Sequence, residues 1–350
     1  MNTLIKKIIL TGGGTGGHVI PALALTKLLK KEGYDIHYIG SKDGIEKELV
    51  TNIPYYEIST GKLRRYISKK NISDMIKVVK GIGDSIFIIK KIKPNVVFSK
   101  GGFVSVPVVI AAWILKVPVV IHESDSSFGL TNKISKQFAK RICVSFEELM
   151  HKKSVLTGTP IREEILKGNA QRGKEITKLK RDLPTILIIG GSSGSMIINK
   201  VVFESLDELL PYFNIIHICG KKNKIDINKI GYVSYDFVKD NLSHIFAISD
   251  VIISRAGANA IFEILALKKP NILIPLSKNA SRGDQIDNAN IFKSRGYSEV
   301  LEESGLSKDT FINKIKEVHK NKDFYINNMQ KYTQKDSVKL IVEEIKKVTK

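Results

Sequence analysis

Thr11-Gly12-Gly13-Gly14-Thr15-Gly16-Gly17-His18 stands between the apolar run Ile8-Ile9-Leu10 and the segment Val19-Ile20-Pro21-Ala22-Leu23-Ala24-Leu25. The order reads as strand, glycine turn and helix. Five glycines in six positions permit positive φ and close approach of a ligand, and the amides of the next helix's first turn point into the same space. A phosphate or pyrophosphate suits such a place. His18 adds a titratable ring at the mouth of the turn, where the positive end of the helix favours its neutral, proton-accepting form.

Gly12, Gly14 and Gly17 also match the dinucleotide fingerprint G-x-G-x-x-G, which wants an acid at the end of the second strand for the ribose. The next strand, Ile36-His37-Tyr38-Ile39, ends in Gly40-Ser41 instead. That counts against a nicotinamide or flavin site, with Lys42 leaving NADP open. His18-Val19 stands where the Walker pattern needs Lys followed by Ser or Thr, so a P-loop is excluded.

Moving outward, strand and helix signals alternate: strand Ile5 to Leu10, helix Pro21 to Lys31, strand Asp35 to Ile39, strand Tyr55 to Ile58. The alternation predicts a parallel sheet covered on both faces. Residues 62–93 carry ten Lys or Arg against two acids, Asp74 and Asp84, with Ile72, Met75, Ile76, Val79, Ile82, Ile86 and Ile89 at helical spacing. One reading is a covering helix with solvated lysines. The other rests Lys62 to Tyr66 and Lys69-Lys70 on an anionic membrane surface, and a helix with two faces serves both.

Strand Val96 to Phe98 runs into a second glycine turn, Ser99-Lys100-Gly101-Gly102-Phe103. Phe103 to Ile121 is long and apolar enough to tempt a membrane-span reading, but Pro107, Lys116 and Pro118 interrupt it. A buried helix, Pro107 to Leu115, and a buried strand, Val117 to Ile121, fit better. That strand delivers His122-Glu123-Ser124-Asp125 at its carboxyl end, where parallel sheets place ligands. Strand Ile142 to Val144 closes the first half, a boundary falls near Thr157 to Pro160, and Gly168 to Arg181 reads as a polar surface loop.

The second half repeats the plan. Strand Thr185 to Ile189 enters Gly190-Gly191-Ser192-Ser193-Gly194-Ser195 and a helix through Leu210; strand Val251 to Ile253 enters Ser254-Arg255-Ala256-Gly257-Ala258-Asn259-Ala260-Ile261-Phe262-Glu263. Glu263 falls one and a half turns into its helix, where a carboxylate can accept both hydroxyl protons of a ribose cis-diol. Helix amides near Ser192 to Ser195 suit a leaving diphosphate. The fold class is α/β, two Rossmann-like doubly wound domains.

The 350 residues suffice for two domains with cores of their own, and 43% hydrophobic with 26% charged residues describes a soluble globular chain. A net charge of +21 implies an acidic partner: nucleic acid, anionic lipid or a phosphorylated substrate. With one Trp and no recognition motif, nucleic acid is not expected. Cys143 and Cys219 have no partner at metal or redox spacing and read as reduced buried residues, and the N-terminus does not read as a signal peptide.

Thr11-Gly-Gly-Gly-Thr-Gly-Gly-His-Val19, Ser99-Lys-Gly-Gly-Phe-Val-Ser-Val-Pro107, Gly190 to Ser195 and Ser254 to Glu263, in this order, resemble the motifs of the MurG family. These are the N-acetylglucosaminyltransferases that convert lipid I to lipid II in peptidoglycan synthesis. The resemblance spans nearly the whole chain and implies a GT-B fold, two domains facing each other across a cleft. They would be an acceptor and membrane-associating domain over 1–160 and a UDP-sugar domain over 161–335, with a C-terminal helix of about 336–350 free to pack back on the first. It implies UDP-N-acetylglucosamine and lipid I as substrates, no required cofactor, and a peripheral place on the cytoplasmic face of the membrane. No Asp-x-Asp pair stands where a magnesium clamp would be expected.

Carried onto this sequence, the resemblance puts Thr15, Gly16 and Gly17 at the donor sugar and diphosphate, with His18 as candidate base. Arg162 contacts the nucleotide, and Ser192 and Ser195 lie at the diphosphate turn. Val238 flanks uracil, Glu263 takes the ribose, and Gln285 with Asn288 reads the sugar hydroxyls. Asp125 departs from the family's usual Asn, so its donor contact stands beside a share in proton abstraction, and Asp125 or Glu123 is the next base after His18. A lipid glycosyltransferase with another acceptor such as diacylglycerol, a sugar-nucleotide epimerase, and an NADP oxidoreductase remain as other enzymes for these residues, with a basic nucleic-acid-binding protein as the non-enzyme alternative.

Overall fold

The computed structural model describes residues 5–61, 69–179, 181–191, 194–220, 223, 227–238, 240–278, 281–333 and 335–349. The chain forms two compact units, residues 1–161 with 335–350, and residues 162–334.

The first unit runs β1 (Lys6–Thr11), α1 (Gly16–Leu23), α2 (Thr26–Lys31), β2 (Tyr34–Ser41), α3 (Ile45–Leu49), β3 (Tyr55–Ile58), α4 (Lys69–Ile92), β4 (Val96–Ser99), α5 (Ser105–Ile114), β5 (Val119–Glu123), α6 (Leu130–Phe138), β6 (Arg141–Val144) and β7 (Ser154–Leu156). Its strands pair in the order β3-β2-β1-β4-β5-β6-β7, every ladder parallel. Ile8 and Leu10 point to one face and Ile9 to the other, so the period of two feeds a separate core on each side of the sheet. The order reverses between β1 and β4, and their carboxyl ends carry the first two glycine turns.

The second unit runs α7 (Ala170–Thr177), β8 (Thr185–Ile189), α8 (Met196–Leu209), β9 (Asn214–Ile218), β10 (Tyr232–Tyr235), α9 (Leu242–Ile248), β11 (Val251–Ser254), α10 (Ala258–Leu267), β12 (Asn271–Leu273), α11 (Asp284–Ser294), β13 (Glu299–Val300), α12 (Lys308–Lys320) and α13 (Lys322–Gln330). Its parallel sheet has the order β10-β9-β8-β11-β12-β13, reversing between β8 and β11. The last helix, α14 (Ser337–Val348), belongs to the first unit: Ile341, Val342, Ile345 and Val348 join the core that holds Ile8, Leu10 and Leu29.

Several elements differ from the sequence reading. The first helix begins at Gly16, not Pro21, because the turn itself winds into it; Pro21 sits inside with no N–H to donate, and the helix ends at Leu23 before restarting at Thr26. Helix α5 starts at Ser105, which leaves Pro107 in the first turn, where the missing N–H costs no bond. His122 and Glu123 are the last two residues of β5 rather than the loop after it. The expected polar loop over 168–181 contains α7, capped by the Asn169 side chain on the Arg172 amide at 2.9 Å. Its buried face includes Gly173 and Thr177, small and polar residues without a hydrophobic signature. The basic residues 62–68 lie outside the described residues, and α4 begins at Lys69. Among the described residues no helix is long and apolar enough to cross a membrane.

Candidate active site

In the first unit the two glycine turns are pressed together. Gly13 N donates to Gly101 O at 3.3 Å, and a Cβ at Gly102, where φ is +84°, would overlap the Gly13 carbonyl oxygen. Tyr38 holds the same turn from below, its hydroxyl donating to Gly12 O at 2.7 Å. The chain leaves through Thr15, which is extended at φ −147° and opens α1 as its N-cap residue. Thr15 Oγ1 and His18 Nδ1 are 3.0 Å apart. Thr15 and Gly17 are exposed, while Gly16 and His18 are half-buried.

Behind them lies the end of β5. His122 is fully buried with its Nε2–H donating to Gly158 O at 2.9 Å; burial and the nearby Lys100 charge hold its pKa well below the ordinary value, so the ring is neutral. Glu123 is committed to the loop that follows: its carboxylate accepts from Asp125 N at 3.2 Å, Gly129 N at 3.0 Å and Asn132 Nδ2 at 3.0 Å. These bonds make Glu123 the scaffold of the loop bearing Asp125, which stays half-buried. Lys100, 2% exposed, joins the second glycine turn to this loop through a 2.5 Å bond from Nζ to Ser124 Oγ.

Burial pulls the Lys100 pKa down to about 8 against the opposing charges of Glu123 and Asp125. Below pH 8 the ammonium is charged in both folded and unfolded chains and its burial costs stability. Between 8 and 10.5 the unfolded chain binds a proton the native one does not, so raising the pH favours the native state. Lys100→Met is therefore expected to raise the thermal midpoint at pH 7, by an advantage that narrows at pH 10. A gap of equal size at both pH values in paired melting curves would remove buried charge as its cause.

An open recess of about 1240 Å³ lies beside Gly14 in the same unit, lined by Tyr56, Lys77, Lys80, Asp84 and Phe103 among others.

In the second unit Ser195 is the N-cap of α8, accepting from Ile198 N at 3.4 Å, and its Oγ also accepts from Arg255 NH2 at 2.6 Å. Arg255 is buried and further donates to Ile274 O at 3.0 Å and Pro275 O at 3.3 Å, with Glu303 as its ion-pair partner at 2.7 Å. Burial pushes Glu303 up, but Arg255 and the Ser277 amide outweigh it and bring its carboxyl below the usual range. The α8 amides and the Arg255 guanidinium thus meet at Ser195, an arrangement suited to an anion. Sequence reading quoted Arg255 without assigning it a role; the signal was an arginine directly after β11 at the reversal of strand order.

Arg162 and Glu263 form a two-pronged pair: Nε to Oε1 at 2.9 Å and NH2 to Oε2 at 3.1 Å. A carboxylate has about four lone-pair positions, so two remain for other donors while the guanidinium keeps the group oriented. Val238 is half-buried against the unit's core. Gln285 Oε1 accepts from Leu276 N at 3.2 Å, which leaves its amide nitrogen as the donor toward a ligand. Asn288 is 0% exposed with Nδ2 donating to Ala256 O at 3.2 Å, so it holds the loop ahead of α10 and does not reach the surface. Ser192 lies outside the described residues. The structure brings together Ser195 with Arg255, Arg162 with Glu263, and Thr15 with His18. Among the described residues no group of three or more His, Cys, Asp or Glu is placed to hold a metal ion.

Two parallel-sheet units with glycine turns at their strand-order reversals define the GT-B class of glycosyltransferase. Residues 8–144 match the glycosyltransferase family 28 N-terminal domain and residues 185–345 the family 28 C-terminal domain. The chain belongs to glycosyltransferase family 28. It is 54% identical to the UDP-N-acetylglucosamine--N-acetylmuramyl-(pentapeptide) pyrophosphoryl-undecaprenol N-acetylglucosamine transferase of Clostridium tetani, over 98% of each chain, and 54% identical to the protein of that name from Clostridium botulinum Alaska E43, again over 98% of each. Among solved structures it is similar to Acinetobacter baumannii MurG, with TM-score 0.78 at 26% identity over 98% of this chain and 99% of that one. The glycosyltransferase of kitacinnamycin shares the fold, with TM-score 0.72 at 12% identity over 99% and 100%.

Proposed function

We propose that this chain transfers N-acetylglucosamine from UDP-N-acetylglucosamine to the 4-hydroxyl of N-acetylmuramic acid in lipid I, giving lipid II and UDP. The observation that carries this reading is the full-length likeness to the clostridial transferases of that name. The acceptor oxygen attacks the anomeric carbon in line, the bond from that carbon to the diphosphate oxygen breaks, and configuration inverts. The hydroxyl proton passes to His18, with Asp125 as its assistant.

The second unit takes the donor. Glu263, oriented by Arg162, accepts the ribose hydroxyls; Val238 flanks uracil through its backbone; Gln285 donates to the sugar hydroxyls, with Asn288 holding the loop behind. The first-turn amides of α8, Ser195 and the neighbouring Ser192 receive the charge that develops on UDP, and the buried Arg255 adds to it. Thr15, Gly16 and Gly17 of the first unit take the donor sugar and diphosphate, with the acceptor beside them.

The test is transfer of labelled sugar to lipid I with UDP release measured in parallel. Equal amounts of labelled lipid II and UDP are expected. Labelled diacylglycerol, or epimer formed without acceptor, would replace the reading with one of its relatives.

The lipid-linked acceptor calls for an anionic membrane surface as partner, on the cytoplasmic face. Exposed Met75, Ile76 and Val79 on α4 and Trp113 on α5, with the lysines of residues 62–93, supply the apolar and basic elements of such a contact. Trp113 is the sole tryptophan and 56% exposed, so its emission is expected to shift to the blue on anionic vesicles and to return as salt rises from about 0.05 to about 0.5 M. A shift that ignores both lipid charge and salt would rule out an electrostatic contact.

A further inference from the structure

Glu46 is the second residue of the short helix α3, five residues after β2 ends at Ser41, and it is 0% exposed. Its Oε1 accepts from Ser41 N at 3.1 Å and from the Ser41 hydroxyl, and its Oε2 accepts from Gly14 N at 3.1 Å. Two backbone amides and a hydroxyl thus converge on the carboxylate oxygens. The space around it is reserved by glycines from two separate segments. A Cβ at Gly13 would come 2.6 Å from Glu46 Cδ and one at Gly44 would overlap Oε1, while one at Gly40 would overlap the Tyr55 hydroxyl first and come 2.9 Å from Glu46 Cγ. A buried carboxylate is costly unless its hydrogen bonds are met, so a chain that makes such room for one gains something specific from it.

What it gains is control of the first glycine turn. Gly14, at φ +84°, gives its amide to Glu46; Thr15 follows directly, opens α1, and meets His18 Nδ1 through its hydroxyl. That amide is occupied by a carboxylate and faces away from any phosphate role. We infer that Glu46 is a positioning residue for proton transfer: by holding the Gly14 amide it fixes Thr15, and through Thr15 it sets the ring of His18. This rests on the transferase reading with His18 as base.

Glu46→Gln keeps the side-chain volume but turns one acceptor oxygen into a donor that must face either Gly14 N or the Ser41 donors. The expected result is a kcat for transfer lower by about thirtyfold, a displacement effect on a positioned base, with the KM for UDP-N-acetylglucosamine unchanged within about twofold. Thr15→Val combined with Glu46→Gln is expected to cost less than the product of the two single losses, because both act on one ring. A folded Glu46→Gln chain with full kcat, or single losses that simply multiply, overturns the inference; so does a lowered Tm with unchanged kcat. Should Glu46→Gln not fold, Gly13→Ala presses on the same carboxylate and is expected to give the same loss in kcat at unchanged donor KM, with full kcat again overturning the idea. Hydrogen exchange at the Gly14 amide of the native chain reads the contact without any substrate: slow exchange is expected, and fast exchange refutes it. Failure of the native chain to make lipid II would instead count against the transferase reading.

Discussion

His18→Ala is expected to lower kcat for sugar transfer by about a hundred- to ten-thousandfold at saturating donor and acceptor, the span usual for loss of a positioned general base. The contact with Thr15 decides which nitrogen does the work. If Thr15 Oγ1 accepts the Nδ1 proton across their 3.0 Å separation, Nε2 is the nitrogen that takes the acceptor's proton. UDP affinity should change little, because the residues assigned to uracil and ribose, Val238 and Glu263, belong to the second unit. Near-normal turnover would pass the role to Asp125, and not to Glu123, whose oxygens are already bound to Asp125 N, Gly129 N and Asn132 Nδ2.

Removing residues 336–350 is expected to unfold the first unit while leaving the second able to bind UDP. Ile341, Val342, Ile345 and Val348 of α14 lie at 0–3% exposure in the first unit's core, and at about 1.5–3 kcal/mol each their burial is worth an upper bound of about 6–12 kcal/mol. A whole domain is stable by only about 5–15 kcal/mol. The helix is capped by Asp336, which accepts from the Lys339 amide at 3.0 Å, and it is tied to the unit by Lys346 on Glu32 at 2.5 Å and by Thr349 on the Tyr34 hydroxyl at 2.8 Å. Calorimetry of the shortened chain should lose one transition and keep a UDP-shifted one. Two intact transitions would show that α14 is dispensable.

Much of this architecture can be read in the sequence, because buried parallel strands announce themselves as apolar runs that end in glycine turns. Ile8 to Leu10, Val96 to Phe98, Thr185 to Ile189 and Val251 to Ile253 are all strands, and all four lead to the turns where strand order reverses. What escaped depends on partners distant in the chain. Glu46, in the charged run Asp43 to Glu48, looks like a surface residue until Gly14, thirty-two residues earlier, is laid against it. Arg162 and Glu263 each suggested a nucleotide contact, but nothing local says that they clasp one another across 101 residues. Arg255 carries one charge in a small-residue motif, and its part as a hub emerges only when β12, α8 and Glu303 close around it. Strands β7 and β13, three and two residues long, are too short for periodicity to show.

The two glycine turns of the first unit share a backbone bond and leave no room between them for a single methyl group. They are consequently one mechanical piece: neither can shift without carrying the other. The Phe103 ring presses on Gly14, where an added Cβ would come 2.6 Å from its Cε1, and so it rides on that piece. A fluorine atom placed on this ring would be a built-in strain gauge, reporting by its chemical shift what an acceptor does to the residues around His18 without touching the chemistry itself.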